Sequence, residues 1–148
     1  MAIKKGILVR DWHLFHDTAN NPAAPTWVEV KGRTLMRLGF SAKEIDTTTQ
    51  DDGGHETHVI SRRGKSVSWE GQYMIDPTAG TRDPGQAAVE ALGNQIGDAS
   101  IGHFQIKGPN NAVIKTFLAS VQLGDQLGND DEAAAFAFNL KFSGDFLS

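Results

Sequence analysis

The sequence predicts a mainly β fold: a β-sandwich or open barrel with one flanking α-helix and a long protruding hairpin. Three observations carry that expectation. Residues 132–144 read E-A-A-A-F-A-F-N-L-K-F-S-G, with Ala134, Phe136, Phe138, Leu140 and Phe142 alternating with small or polar residues. Side chains on a strand change face every residue, so this is a strand with one greasy and one smooth face. Residues 65–76 repeat the pattern, with Val67, Trp69, Gly71, Tyr73 and Ile75 on one face and Ser66, Ser68, Glu70, Gln72 and Met74 on the other. Only one stretch, residues 83–97, has the period of a helix.

The remaining elements follow in chain order. Residues 3–10 read as a first strand, residues 11–25 as irregular, with N-N-P-A-A-P (20–25) a loop signal. T-W-V-E-V-K (26–31) is a short strand, and residues 33–40 are ambiguous. Residues 43–49 and 56–62 flank Q-D-D-G-G, which reads as a hairpin with an Asp-Gly tip. Residues 101–107 and 113–123 form a second hairpin around G-P-N-N, with Val113, Phe117, Ala119, Val121 and Leu123 on one face and Lys115 the odd member. In the helix, Asp83 is the N-cap, Pro84 the first helical position, and Gln86 the capping-box partner. Ala88, Val89, Leu92 and Ile96 form its apolar stripe, and Gly97 ends it. The total is about eight strands and one helix, the helix lying across the β layer as a lid.

The length of 148 residues fits one domain, residues 1–148, around a single core. There is no cysteine, which excludes a disulfide framework and a thiolate metal site. No apolar run is long enough for a signal peptide or a membrane span, so no membrane partner is expected. The net charge of −4 is uneven: residues 1–65 hold ten Lys/Arg against eight Asp/Glu, residues 66–148 four against ten. A protein gripping nucleic acid needs clustered cations, and the later half lacks them.

Motifs that tempt do not carry chemistry. Gly64-Lys65-Ser66 ends like a phosphate loop, but Val59 stands where the loop needs glycine, and a strand follows in place of a helix. His13/His16 and His55/His58 are H-x-x-H pairs, but residues three apart on a strand face opposite ways, so solvated loop histidines are the better reading and no metal is expected. Asp51-Asp52, Asp130-Asp131-Glu132 and Glu70/Asp76 read as solvated turn carboxylates, with nothing to place two across a cleft. No nucleophile elbow is present, so no catalytic residue, cofactor or enzymatic activity is expected. Trp69 reads as core.

The chain resembles the tail tube (major tail) proteins of long-tailed bacteriophages. The likeness rests on W-V-E-V-K-G (27–32) leading to K-E-I-D-T-T-T-Q-D-D (43–52), on S-W-E-G-Q-Y-M-I-D (68–76) through D-P-G-Q-A-A-V-E-A-L (83–92), and on F-L-A-S-V-Q-L (117–123), G-N-D-D-E (128–132) and F-A-F-N-L-K-F-S-G (136–144). Residues 11–25 and 33–40 match no family pattern. The resemblance implies a β-sandwich with a flanking helix, assembled into hexameric rings that stack into a tube conducting DNA. It also implies a virion protein assembled in the host cytoplasm. Its partners would be itself and other tail proteins (tape measure, terminator, distal tail), with DNA passing through without specific binding. On that reading Ser66, Ser68, Glu70 and Gln72, with Asn139 and Lys141, are lumen candidates, Lys141 being the awkward one because a cation would drag on DNA. Asp46, Asp51, Asp52, Glu56, Arg62 and Arg63 are the candidates for docking the hairpin onto an adjacent subunit or ring. The rival readings are another ring protein of the same fold (tail terminator or type VI secretion tube subunit), a monomeric β-sandwich binding module, and a small metal enzyme using the histidine pairs.

Overall fold

The computed structural model describes residues 6–49, 53–111 and 113–147. Seven antiparallel strands form one sheet: β1 (His13–Asp17), β2 (Trp27–Glu29), β3 (Arg33–Asp46), β4 (His58–Gln72), β5 (Ile101–Lys107), β6 (Ile114–Leu123) and β7 (Ala135–Phe142). Their order across the sheet is β2-β1-β5-β6-β7-β4-β3. One helix, α1 (Pro84–Gly93), packs against β1, β2 and β6.

The two edge strands are consecutive in sequence, and this forces the sheet to curl. A flat sheet with seven strands is about 29 Å wide at the usual strand spacing. From Glu29 to Arg33 the chain can span at most about 15 Å. The gap is smaller still in practice. The Val30 N–H donates to Leu14 O at 2.9 Å, prolonging β2, while the Gln72 N–H donates to Gly32 O at 3.0 Å, prolonging the β3–β4 ladder. Lys31 alone crosses the seam, so the edges meet and the sheet is an open barrel.

Gln86, on the first turn of α1, closes that seam and is fully buried. Its Nε2 donates to Lys31 O and Gln72 O, both at 2.7 Å, and its Oε1 accepts from the Met74 N–H at 3.1 Å. The capping box predicted from sequence is therefore half formed. Asp83 does cap, accepting from the Gln86 N–H at 3.1 Å, but the Gln86 side chain serves the barrel and not the cap. Gly32, at φ +88°, and Gly71 allow the backbones to touch here, since a Cβ on Gly71 would run into the Gly32 carbonyl.

The core fills the barrel. Val67 and Trp69 of β4, Phe104 and Ile106 of β5, Phe117, Ala119 and Val121 of β6, Phe136, Phe138 and Leu140 of β7, with Leu14, Val30 and Val89, are all buried. Trp69 stacks on Phe138 with ring centroids 4.9 Å apart and meets Phe136 edge-on.

Several sequence expectations fail for identifiable reasons. Residues 6–12 hold no strand; Ile7, Leu8 and Val9 are exposed and lead into a short 3-10 turn, Val9–Asp11. The first strand lies instead at His13–Asp17, inside the segment read as irregular, because Asp17 ends it by capping the next loop. Residues 33–40 are the start of β3, and the segments read as strands at 56–62 and 65–76 merge into one strand, β4 (His58–Gln72), so the count among the described residues is seven and not eight. The helix stops at Gly93, leaving Ile96 outside it and exposed; Ile75 lies beyond β4 and is exposed too.

Candidate assembly surfaces

The outward face of β4, β7 and β6 is built by the same alternation that fills the core. Ser66 lies opposite Lys141, Ser68 opposite Asn139, Glu70 opposite Ala137 and Gln72 opposite Ala135. Across β7, Lys141 faces Ser120 and Asn139 faces Gln122. Directly opposed residues share a face, so all six lumen candidates fall on one surface. Arg37 of β3 extends it opposite Ser68. The surface is thus mostly small and polar, and its charged members are one carboxylate, Glu70, and two cations, Arg37 and Lys141. The acidic surplus of the later half does not sit there. It is gathered in loops, above all at Asp125, Asp130, Asp131 and Glu132 between β6 and β7. A shallow hollow of about 540 Å³ where this loop meets the face is lined by Thr34, Glu70, Gln72, Asp125, Ala135 and Asn139.

The hairpin of β3 and β4 is longer than the sequence suggested. Its inner half, up to Leu38 and Val67, belongs to the barrel. Its outer half, residues 40–46 and 58–63, projects as a two-stranded arm whose residues are all exposed. A bulge interrupts the ladder where Lys43 faces Arg62 and Glu44 faces Ile60, and the Ser61 hydroxyl donates to Lys43 O at 3.0 Å. Sequence reasoning listed the arm's charges and missed its apolar residues. Phe40 is 69% exposed, Val59 53%, Ile45 48% and Ile60 43%, and Ile45 lies directly opposite Val59. The missed signal was their exposure, which no local pattern reveals.

Of the docking candidates, Asp51 and Asp52 lie outside the described residues. Asp46 is occupied: its carboxylate accepts from the Thr48 N–H at 2.8 Å, and the Thr48 hydroxyl and N–H hold it below the usual carboxylate range. Glu56, Arg62 and Arg63 are exposed. Glu44 pairs with His58 at 3.8 Å, whereas Lys43, Arg62 and Arg63 form no ion pair among the described residues.

The histidines divide as strand geometry requires. His13 faces outward and pairs with Glu29 at 2.7 Å, while His16, three residues on, is buried against Phe104 with ring centroids 4.8 Å apart. The expectation of solvated loop histidines therefore fails for this pair, and Asp17, next to His16, anchors a buried polar network. Asp17 is fully buried and accepts from the N–H groups of Ala19 (3.0 Å), Asn21 (2.8 Å) and Thr26 (2.9 Å), with His103 Nδ1 at 3.1 Å. Burial works to raise its carboxyl pKa, but these partners outweigh burial and hold it below the usual value. Burial lowers the His16 pKa to about 4, Asp17 opposing and His103 reinforcing the shift. Among the described residues no group of three or more His, Asp or Glu side chains could hold a metal ion.

No protein-family model matches the chain, and no curated protein matches it. Solved structures do. A chain from the tail of an empty gene transfer agent particle, with C6 symmetry, superposes at a TM-score of 0.73 with 17% identity, over 95% of this chain and 97% of that one. A chain of the native gene transfer agent virion superposes at 0.69, also at 17% identity, over 97% of this chain and all of that one. Over nearly its whole length, this chain has the fold of those gene transfer agent chains.

Proposed function

We propose that the protein is a structural tail component: the subunit of a tail tube, assembled as stacked hexameric rings through which DNA passes. The observation that carries the reading is the outward face of β4, β7 and β6, where Ser66, Ser68, Glu70, Gln72, Asn139 and Lys141 sit together. A water-filled wall needs a polar surface without an enclosed pocket, and this face supplies polar side chains with one shallow, open hollow at its end. Its few charges bear on Lys141. Arg37 and Lys141 are two cations on a face that also carries the Glu70 carboxylate, too few for the clustered cations that grip phosphates, so DNA would slide by lack of grip. The fold shared with tail chains of a C6-symmetric particle supports the same reading. On it, the protein works in the virion, assembles in the host cytoplasm and meets tape measure, terminator and distal tail proteins as partners. No described helix is long and apolar enough to cross a membrane.

The exposed apolar arm fits contact with a neighbouring copy, since an isolated two-stranded ribbon has little stability of its own. Asp46, Glu56, Arg62 and Arg63, together with Asp51 and Asp52, are its proposed charged docking positions. Electron microscopy of the concentrated protein tests the proposal. Long tubes are expected. Single closed rings would point to a terminator-type role, and a particle that stays monomeric at every concentration and salt level would overturn the proposal.

A further inference from the structure

We infer that copies are keyed to one another by charges kept apart along the arm: the acidic outer part of one copy's arm seats in a cationic hollow at the base of a second copy's arm. The inference rests on the tail-tube reading and names the surface that receives the arm. The arm as a whole holds more acid than base, but the two signs are segregated. Going outward, the ladder pairs Ala42 with Arg63 and Lys43 with Arg62, then Glu44 with Ile60 and Asp46 with His58. Residues 44–61 hold five Asp/Glu and no Lys or Arg. Of those carboxylates, Glu44, Asp46 and Glu56 lie among the described residues, and all three are exposed. At the base, Lys141 of β7 joins Lys43, Arg62 and Arg63 around an open hollow of about 450 Å³, which Ser41 and Gly64 also line. No carboxylate lines it.

The hollow is unbalanced in a lone chain. Lys43 faces Arg62 directly across the ladder, and like charges so opposed are unfavourable. None of the four cations forms an ion pair among the described residues. The arm's own carboxylates do not serve them. Glu44 pairs with His58 at 3.8 Å, and Asp46 accepts from the Thr48 N–H at 2.8 Å. The Thr47 N–H donates to Thr57 O at 3.0 Å, so the ladder stays closed past Asp46. Glu56, one residue beyond Thr57, is thereby held about five residue rises, or about 17 Å, outward of Lys43. A second copy's arm brings the missing acid. A protein partner fits better than nucleic acid, because apolar area borders both halves of the contact. Phe40, 69% exposed, adjoins Ser41 of the hollow, and Ile45 and Val59 lie beside Asp46 and His58 on the outer arm. Base and outer arm are different surfaces, so the contact is heterologous and passes from copy to copy with one polarity. It also gives Lys141 an acid to face in the assembled wall.

Charge reversal and mixing test the inference. Arg62→Glu with Arg63→Glu, and separately Asp46→Lys with Glu56→Lys, are each expected to leave the subunit folded by thermal melt and to cut tube length by about tenfold or more at moderate salt. The four substitutions in one chain are expected to restore tubes. Mixing the two reversed proteins is expected to restore them as well, because each then finds its complement in the other. Wild-type protein that forms no tubes would remove the parent reading. Wild-type tubes with either reversal harmless, or with neither the combined chain nor the mixture rescuing growth, would overturn only this inference. Because the chain has no cysteine, a cross-link gives a readout that leaves every charge in place. Within one copy, Ser41 and the outer arm at Thr47 are about 20 Å apart along the ribbon, beyond the reach of a disulfide. Oxidation of tubes carrying Ser41→Cys and His55→Cys should therefore give a ladder of linked chains, and its absence from well-formed tubes would overturn the contact. Salt-sensitive duplex DNA binding lost on reversing Arg62 and Arg63, with tubes unaffected, would reassign the hollow to nucleic acid and overturn it too.

Discussion

At the scale of single residues, the molecule's least expected feature is the buried pair of His16 and Asp17. Nothing in H-L-F-H-D marks Asp17 as a structural carboxylate, because its partners come from 19–26 and from His103, which is 86 positions away. Sequence spacing could exclude the H-x-x-H pair as a metal site, and it could not say that His16 would be buried. That burial has a pH consequence. The folded state holds His16 at about 4 against 6.5 when unfolded, so between those values the unfolded chain binds more protons. Stability is therefore full above about pH 6.5 and declines as pH falls toward 4, by on the order of 2–3 kcal/mol. Asp17, depressed below its usual value, adds a further loss only at lower pH. Urea denaturation at a series of pH values should show that decline, and His16→Leu should flatten it between pH 6.5 and 4. A wild-type curve that is flat over this interval would show that His16 is not held neutral by the fold.

At the scale of elements, β5, β6, β7, the core half of β4 and α1 were legible, because each has one apolar face that must be buried and one that must not. The alternation of β7 even assigned the right residues to each side: Phe136, Phe138 and Leu140 are buried, and Ala137, Asn139 and Lys141 are turned out. The arm and β1 were read less well for opposite reasons. Residues 7–9 have strand-forming side chains but no strand to pair with, whereas β1 is short and ends in a carboxylate that resembles a loop signal. In the arm, propensity gave the hairpin, but exposure depends on where the barrel stops. This separates two kinds of apolar residue. Val59→Asp should change subunit stability by no more than about 1 kcal/mol, since its one defined partner is the cross-strand Ile45. The same substitution should abolish tube growth, read by microscopy beside a thermal melt. Normal tubes from this variant would show that the arm's apolar surface is not an interface.

At the scale of the whole molecule, strand order was legible only for the two hairpins, β3 with β4 and β5 with β6. Pairings such as β1 with β5 join distant stretches of chain, and no local pattern encodes them. The barrel nevertheless explains how one sequence makes two surfaces: its interior is sealed by the seam at Lys31, and its outward face is left smooth. If that face lines a channel, its charge should matter to transport and not to assembly. Glu70→Lys would leave Arg37, Lys141 and a new lysine on one surface. Tubes should form normally, and particles carrying them should deliver DNA less efficiently, measured as infectious titre per particle. Unchanged delivery would place Glu70 away from the channel.

The position of β7 has a consequence for synthesis on the ribosome. It is the last strand to emerge, and it takes an interior place between β6 and β4. Until it arrives, a nascent chain holds two separate half-sheets with no wall between them. The final strand is the keystone, so a prematurely terminated chain has no continuous panel to offer a growing polymer.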